Sequence, residues 1–533
     1  MKTIVQTLSL ILLTAHLSAV QAQVPVMNSY PAANAVILLD FDGIDLSGTV
    51  WNYAGPFTCN PSGLTNDQIV ETFNRVAEDY RPFNINITTE EAKFTAAPID
   101  QRMRVIITTS YEWYGSGAGG VAYVNSFKWG DGTPCFVFSS LFGFNAKNIA
   151  EAASHEAGHT LGLRHQSSYD GSCNKTSDYN WGQGSGEIGW APIMGAGYYQ
   201  NLTLWHNGPN SFGCTNYQSD LDIISGSYNG FGFRTDDNAN SFAGASAAVF
   251  DGSNNFTING VIEQTSDIDY FQFTLPVFGN FTLDAIPYNV GTGNSGSDLD
   301  MNVQLYDQYH NLLGAYNPGN ELSSIIDTIL QAGTYFISVD GEGNMYAPDY
   351  GSLGSYSLQA AFIDGSLLPV RKLELHGHSE NNIHSLQWEL NADEPVAKQV
   401  IEFSQDGKRF ETLAETPVTD RAYAYFYNYA KPVQYRIAVT LENGKHYYSN
   451  VITFRPGIIS KPQLLGNIIH QDLSINSPGI YQYFIMDNNG RMVSKGRIEK
   501  GYSTIPAQQL VAGIYLIRFA ADRQQWTEKF IKH

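Results

Sequence analysis

The sequence predicts an α+β domain with a mixed sheet and one histidine-bearing helix, followed by all-β sandwich modules. Apolar residues recur at helical spacing in residues 64–80 and 147–163, both in the first half of the chain. Beyond residue 232 the pattern changes to short alternating apolar runs separated by Gly, Asn and Asp, which is typical of β-sandwiches. Abundant Gly (50), Tyr (32) and Phe (29), with only 15% charged residues, agree with short strands and many turns.

The amino terminus, MKTIVQTLSLILLTAHLSAVQAQ, is typical of a secretory signal peptide that is cleaved after Ala22. A transmembrane anchor is the alternative. However, the apolar stretch is broken by His16 and is shorter than the roughly 18–20 residues that a membrane span needs. The sequence offers no other candidate span. We therefore expect residues 1–22 to be removed and the mature chain to be soluble.

Residues 23–232 are predicted to form the α+β domain, a mixed sheet backed by helices in the order β-α-β-β-β-β-α. Each predicted element rests on its own local pattern. In chain order these are a strand in AVILLDFDG from Ala35, a helix at 64–80 capped by Thr65 or Asn66, strands at 83–89, 102–109, 119–127 and 134–140, a helix at 147–163 that ends at Gly162, and a last helix at 216–228.

Three β-rich segments are predicted to follow. The turn-rich stretch FRTDDNANSF marks the first boundary, and SLLPV and RPGIISKP mark the next two. We expect a β-sandwich at 233–365, an immunoglobulin-like or fibronectin-like domain at 366–458 and a final strand-rich domain at 459–533. The last segment contains a hairpin signal, an Asn-Gly turn within QYFIMDNNGRMVSKG.

The distribution of charge excludes one class of function. Residues 371–533 carry 19 Lys+Arg and 16 Asp+Glu, whereas the first 370 residues carry 11 and 35. The first 370 residues are therefore strongly negative and repel nucleic acid and anionic membranes, because binding to these relies on cationic side chains. We expect no nucleic-acid partner.

The four cysteines all lie in the α+β domain, and their spacing is not that of a structural zinc site. Export to an oxidising compartment favours disulfides, and four cysteines allow three pairings. Two cysteines precede the histidine-rich segment and two follow it. On that basis we expect Cys59–Cys135 and Cys173–Cys214.

Residues 154–166, SHEAGHTLGLRHQ, hold a metal-site pattern. On a helix, His155 and His159 are four residues apart and project from one face, while Glu156 lies at its edge. Gly162 is able to end the helix and turn the chain, which returns His165 as a third ligand. Three imidazoles leave a fourth position on zinc for water, the arrangement of a catalytic site with a glutamate general base. Structural histidines are the alternative.

HEAGHTLGLRH resembles the extended zinc signature of the metzincin metalloproteases, and APIMGAGYY resembles their methionine turn. The resemblance implies a metzincin-like fold in which His155, His159 and His165 bind Zn²⁺, Glu156 is the general base and Met194 lies beneath the metal. Some metzincins have a metal-binding Tyr two residues after that Met. Here this position is Ala196, so Tyr198 is a candidate for stabilising the oxyanion instead.

The segment GGVAYVN, within the strand predicted at 119–127, resembles the edge strand along which metzincins bind their substrates by β-addition. An ordinary inner strand is the alternative. Cleavage preference is expected to depend on the loop-like residues between His165 and Tyr199, whose geometry the sequence does not give.

The remaining segments also resemble known modules. INGVIEQTSDIDYFQFTL and the strands after it are similar to the bacterial pre-peptidase C-terminal β-sandwich. Aspartates at its strand ends are candidate Ca²⁺ ligands, with solvent-exposed turn residues as the alternative; these are Asp267, Asp269, Asp298, Asp300 and Asp340. The tail, with LVAGIYLIRF and EKFIKH, is similar to the sorting domain of type IX secretion, although Leu-Gly-Asn (465–467) replaces the usual Pro-Asn-Pro.

Together these features predict a secreted zinc metalloendopeptidase that hydrolyses proteins or peptides with zinc-activated water. Export is expected through the periplasm and across the outer membrane by the type IX machinery, and the chain is expected to be a monomer. One alternative is a surface adhesin or glycan-binding protein with an ancillary zinc domain. Another is a zinc hydrolase that acts on small amides.

Overall fold

The computed structural model describes residues 23–532 except 366–368, 381–382, 428–431, 456–460, 465–467, 470–471, 489 and 522–523. The predicted signal peptide and the Leu-Gly-Asn stretch of the tail lie outside the described residues. The chain forms two compact units, Met1–Lys372 and Leu373–His533. The segments predicted as the α+β domain and the first sandwich therefore belong to one unit.

The α+β part of the first unit begins with a sheet and helices and continues with short strand pairs. Its elements are β1 (Ala35–Asp40), β2 (Ile44–Leu46), β3 (Phe57–Cys59), α1 (Asn66–Asp79), β4 (Ile85–Thr88), α2 (Glu91–Ala96), β5 (Arg102–Thr108), β6 (Gly120–Val121), β7 (Cys135–Phe138), α3 (Ala146–Thr160), β8 (Ser168–Tyr169), β9 (Lys175–Ser177), β10 (Trp190–Pro192), β11 (Leu202–Leu204), β12 (Asn207–Pro209), β13 (Tyr217–Ser219) and α4 (Asp220–Ile224).

A five-stranded sheet forms the centre of this part, in the order β4-β1-β5-β7-β6. The first four strands are parallel, and β6 is an antiparallel edge strand that pairs Gly120 with Val137. All six residues of β1 are buried, because a central parallel strand is covered on both faces. The sheet is mixed, as expected for this region of the sequence.

Two helices pack against each other beside the sheet. A capping box starts α1, in which Thr65 accepts from the Gln68 N–H and the Gln68 side chain accepts from the Thr65 N–H. The Asn145 side chain caps α3, which is alanine-rich and almost entirely buried. Tyr80, just after α1, donates a 3.0 Å hydrogen bond to Ser154 O in α3. Thr65 is thus the N-cap of the first helix.

The second part of the first unit is a β-sandwich. Its strands are β14 (Ser246–Ala247), β15 (Asn255–Ile262), β16 (Ile268–Leu275), β17 (Gly279–Pro287), β18 (Met301–Asp307), β19 (Leu312–Tyr316), β20 (Ser324–Leu330), β21 (Gly333–Gly341) and β22 (Gly354–Asp364). One sheet has the order β14-β16-β21-β18-β19 and the other β15-β22-β17-β20. Buried phenylalanines, among them Phe271, Phe273 and Phe281, fill the core between them.

The second unit is all β among its described residues. Its strands are β23 (Val370–Glu380), which begins in the first unit, β24 (Ile383–Ala392), β25 (Val396–Ser404), β26 (Glu411–Thr416), β27 (Ala422–Phe426), β28 (Val433–Leu441), β29 (His446–Tyr448), β30 (Ile452–Phe454), β31 (Gln463–Leu464), β32 (Ile468–Ile469), β33 (Asp472–Ser477), β34 (Tyr481–Asp487), β35 (Met492–Ile498), β36 (Gly501–Pro506), β37 (Gly513–Ala521) and β38 (Gln524–Lys532). They form sheets in the orders β23-β24-β27, β26-β25-β28-β29, β31-β33-β36 and β32-β38-β37-β34-β35, and β30 pairs with β28.

The structure corrects one of the two expected disulfides. Cys173 and Cys214 are bonded, as predicted. Cys59 and Cys135 are free thiols, so the expected Cys59–Cys135 bond is wrong. Cys59 ends a hairpin strand and Cys135 begins a strand of the central sheet, and both are buried. Burial raises the pKa of the Cys59 thiol to about 12, which suits a small apolar side chain rather than a reactive one.

Candidate functional site

Three histidines converge at the carboxyl-terminal end of α3. His155 and His159 lie one turn apart, with ring centroids separated by 4.7 Å. The helix ends at Thr160, and Gly162 has a φ of +112°, which favours glycine and turns the chain back. This turn places the His165 ring 4.8 Å from that of His159 and 5.1 Å from that of His155. One nitrogen from each imidazole lies within 4.8 Å of the others.

Backbone carbonyls orient two of these imidazoles. His155 Nδ1 lies 2.8 Å from Ile193 O, and His159 Nδ1 lies 2.8 Å from Leu163 O. Because a carbonyl only accepts, each Nδ1 donates and leaves Nε2 as the free electron-pair donor. Burial lowers the pKa of His155 well below its ordinary value and that of His159 to about 4. The imidazoles are therefore neutral, the form that binds metal ions.

The Glu156 side chain extends from α3 to the edge strand of the sheet. Its side chain is largely buried, and this burial raises the pKa of the carboxyl to about 8. The edge strand β6 is in close contact with it, because a Cβ at Gly120 would be 2.7 Å from both Cγ and Oε1 of Glu156. The carboxyl group is thus within reach of a molecule bound along β6, as a general base requires.

Met194 is fully buried against the helix that carries the histidines. A Cβ at Gly158 would be only 2.7 Å from Met194 Sδ, so the helix and the methionine approach closely. The carbonyl of Met194 accepts a 2.8 Å hydrogen bond from Gln166 N, one residue beyond His165. The residue before Met194 supplies the carbonyl that orients His155. The methionine segment therefore holds both ends of the histidine motif.

Tyr198 lies farther along the same segment. It is half-buried, and its ring centroid is 5.5 Å from that of Phe142. Burial raises the pKa of the Tyr198 hydroxyl, and the carboxylates of Glu151 and Glu156 raise it further. The hydroxyl is therefore protonated at neutral pH and able to donate a hydrogen bond.

Tyr179 is a residue at the site that the sequence did not reveal. Its ring centroid lies 4.4 Å from that of His165 and 6.0 Å from that of His155. It comes from the loop between the histidine motif and the methionine segment. No spacing rule connects a loop tyrosine with histidines on a preceding helix, so only the fold shows this contact.

The predicted substrate strand at 119–127 is shorter than expected. Only Gly120–Val121 pairs with the sheet, and the chain then enters a short 3₁₀ helix at Ser126–Lys128. Asn125 has a φ of +67°, and its N–H donates to His159 O over 3.0 Å, which takes the chain away from the sheet. β6 nevertheless has β7 on one side and ends the order of the sheet, so it is an edge strand.

Two of the candidate calcium ligands meet in the sandwich. Asp267 and Asp269, together with Asp236 from the preceding segment, place one carboxylate oxygen each within 4.8 Å of the others. Glu263 is fully buried beside them, and its carboxyl group lies against that of Asp267 with no N–H or hydroxyl donor from the described part of the chain. Burial raises the pKa of Glu263 to about 10, and the carboxylate of Asp267 adds to this. Asp236 and Glu263 were not identified from the sequence.

The other three candidate calcium ligands lie outside that cluster. Asp298 is hydrogen-bonded to the side chain of Asp79 at the boundary with the α+β part. Asp300 accepts a 3.0 Å hydrogen bond from Asn344 Nδ2. Asp340 lies in β21, where it pairs with Ile268 of β16. Strand-end positions alone therefore did not distinguish the clustered aspartates from the others.

The carboxyl-terminal segment matches a known family. Residues 467–533 match the family described as the secretion system C-terminal sorting domain. This match indicates export by type IX secretion to the cell surface or the extracellular space, with the secretion machinery as a partner. In the described ranges, no helix combines the length and hydrophobicity that a membrane crossing requires.

Comparisons with other proteins add little beyond this tail. No curated protein sequence matches the chain. The pre-peptidase C-terminal domain of a Bacillus anthracis collagenase is 17% identical, covering 22% of this chain and 93% of that chain, with a TM-score of 0.16. A Pectobacterium carotovorum pectate lyase is 20% identical, covering 16% of this chain and 27% of its own, with a TM-score of 0.15. Structural similarities with TM-scores this low support no conclusion about function.

Proposed function

We propose that the chain is a secreted zinc-dependent metalloendopeptidase of the metzincin type. The observation that carries this proposal is the convergence of His155, His159 and His165 around one point, with Glu156 beside them. The parallel sheet with an antiparallel edge strand, the histidine helix and the buried Met194 beneath it agree with a metzincin-like domain. The sorting tail agrees with action outside the cell.

The residues present fit a zinc ion. Three neutral imidazoles, two of them with a backbone acceptor on Nδ1, form a set of nitrogen donors typical of catalytic zinc, and three protein ligands leave a fourth position open to solvent or substrate. A zinc ion bound there would polarise a substrate carbonyl and lower the pKa of a water molecule. Its positive charge would also favour the ionised form of Glu156, which burial alone keeps protonated near neutral pH.

In the proposed reaction, Glu156 takes a proton from the attacking water and later delivers it to the amine nitrogen of the leaving product. The free edge of β6 orients an extended peptide by backbone hydrogen bonds, which places a scissile bond next to this carboxylate. Tyr198 is protonated and stands near Glu156, where its hydroxyl is a donor for the oxygen that gains negative charge.

The experiment compares the full mature chain with its Glu156→Gln variant. We expect both proteins to bind one zinc ion per chain by elemental analysis, because Glu156 is not a ligand. We expect peptide-library cleavage by the variant to fall at least about 100-fold, the contribution of a general base. The control is Glu112→Gln, an exposed glutamate of the same domain, which should leave cleavage unchanged.

Two results would count against the proposal. Full activity in Glu156→Gln would remove Glu156 from the reaction. Zinc binding by the wild-type chain without cleavage of any peptide would instead favour the adhesin or the small-amide hydrolase.

We also propose that the sandwich binds Ca²⁺ at Asp236, Glu263, Asp267 and Asp269. Both carboxylate oxygens of Glu263, and Oδ1 of Asp267 and of Asp269, are buried without an N–H or hydroxyl donor among the described residues. Burying such oxygens is costly, and a divalent cation with a preference for oxygen ligands offsets that cost. Calcium at about 100 times its dissociation constant should stabilise the folded chain by about 2.7 kcal/mol.

Thermal unfolding of the full chain with added Ca²⁺ or with EGTA measures this effect. Asp269→Asn should abolish the shift in Tm, whereas Asp327→Asn, an exposed aspartate of the same sandwich, should retain it. The absence of any calcium-dependent shift in the wild-type chain would contradict the site.

A further inference from the structure

The β-sandwich and the α+β part share a hydrophobic core. Trp190 of β10 and Leu204 of β11 pack in one apolar cluster with Leu322 and Ala347, which lie in loops of the sandwich. Leu322 is 0% exposed, so its side chain is buried entirely by this contact and its own domain. Tyr346 packs against the same cluster. The sandwich therefore completes the core around two strands that belong to the other part.

Hydrogen bonds join the same surfaces. The Glu187 carboxylate accepts from Leu322 N over 2.9 Å and from Asn294 Nδ2 over 2.5 Å. Gln183 Nε2 donates to Tyr346 O over 2.9 Å. Gln183 and Glu187 both lie in the loop that precedes β10. The sandwich thus fixes both the loop and the strand that follows it.

Strand β10 leads directly into the histidine site. Ile193, the residue after the strand, donates a 2.9 Å hydrogen bond to Leu204 O of β11. The carbonyl of Ile193 accepts from His155 Nδ1, and the next residue, Met194, contacts α3. The position of the His155 ring therefore depends on where β10 and β11 lie.

We propose that Leu322 and Tyr346 of the sandwich are positioning residues for the histidine site, acting through β10, β11 and the Ile193 carbonyl. The inference rests on the proposed function, because it treats His155 as a zinc ligand. On this inference the sandwich is part of the structure that supports the histidine site. A module that only binds a target would instead be dispensable for zinc binding.

The first test compares Leu322→Ala with Leu283→Ala in the full chain. Both leucines are 0% exposed in the sandwich and lose the same three carbons, but Leu283 lies in β17 between β20 and β22. Competition with a chromophoric chelator measures zinc affinity at a temperature where both variants are folded by circular dichroism. We expect the zinc dissociation constant to rise about tenfold in Leu322→Ala, because the group that orients the ligand His155 loses its support. We expect it to stay unchanged in Leu283→Ala.

Tyr346→Ala is the second variant, because the half-buried ring is in a loop and its removal leaves the sandwich strands intact. We expect faster amide hydrogen exchange at residues 188–194 in the metal-free protein, with exchange in the sandwich strands unchanged. Equal zinc affinity and equal exchange in both interface variants and Leu283→Ala would overturn the inference. A wild-type chain that binds no zinc would overturn the proposed function instead.

Discussion

At the scale of single residues, two glycines allow other segments to approach the histidine helix. Gly158 makes room for Met194 Sδ, and Gly120 makes room for the Glu156 side chain. In both cases an added Cβ would be 2.7 Å from its neighbour, closer than carbon and oxygen or sulfur atoms pack. The absence of a side chain at these positions is therefore part of the geometry of the site.

Gly120→Ala should displace the Glu156 carboxylate. The new Cβ would also lie 2.7 Å from Phe136 O, so the strand has little freedom to move away. If Glu156 is the general base, as proposed, we expect kcat to fall about 10-fold to 100-fold while zinc content is unchanged, because the carboxylate would no longer be correctly placed. Steady-state kinetics on a cleaved peptide measures this, with Gly117→Ala as control, since no atom lies within 4 Å of a Cβ there.

The outcome also tests the proposed place of the substrate. Equal kcat in Gly120→Ala and Gly117→Ala would show that the contact between β6 and Glu156 is irrelevant to the reaction.

The residues of the candidate site differ in how far sequence reveals them. His155, Glu156 and His159 lie on one helix, so their spacing alone predicts a shared face. Tyr179 and Glu263 meet their partners only through the fold. Their contacts join loops and strands whose relative positions no local periodicity encodes.

At the scale of elements, the helices were the most predictable. The helix predicted at 64–80 is Asn66–Asp79, and that predicted at 147–163 is Ala146–Thr160. Helical periodicity and caps are local features, so the sequence carries them directly. The last helix, predicted at 216–228, is only Asp220–Ile224, because Tyr217–Ser219 pairs as a strand with an earlier segment.

Strand pairing was harder to predict than strand propensity. The run at 119–127 contains the apolar stretch VAYV, yet only two residues join the sheet, because Asn125 turns the chain towards the end of α3. The expected Cys59–Cys135 bond failed for the same reason, since order along the chain does not determine distance in the fold. Both errors concern contacts between segments.

At the scale of the whole first unit, the boundary between the α+β part and the sandwich contains buried acids. Asp79 is the last residue of α1 and is hydrogen-bonded to the side chains of Ser154 and Asp298. Glu151 on α3 lies nearby, and the Glu78 carboxylate accepts from Ser355 N of the sandwich over 2.5 Å. The carboxyl groups of Asp79 and Asp298 are in direct contact and hold a shared proton, because two adjacent buried carboxyl groups do not ionise together.

This pair predicts how stability depends on pH. Burial raises the pKa of Asp79 from 3.8 to about 8, and burial with the Asp79 charge raises that of Asp298 well above its ordinary value. Between about pH 4 and 8 the folded protein keeps protons that the unfolded chain has released. The free energy of unfolding therefore falls as pH rises through this range, by up to about 1.4 kcal/mol per pH unit for each retained proton.

Asp298→Asn should flatten that dependence. An amide donates to the Asp79 carboxylate, so Asp79 ionises at lower pH and fewer protons are retained on folding. Urea unfolding of the full chain between pH 5 and 8 measures the slope, and Asp327→Asn, exposed in the same sandwich, should keep the wild-type slope. Identical slopes in wild type and Asp298→Asn would show that the two acids share no proton across this boundary. A flattened slope would instead assign part of the loss of stability between pH 5 and 8 to the junction between the sandwich and the histidine helix.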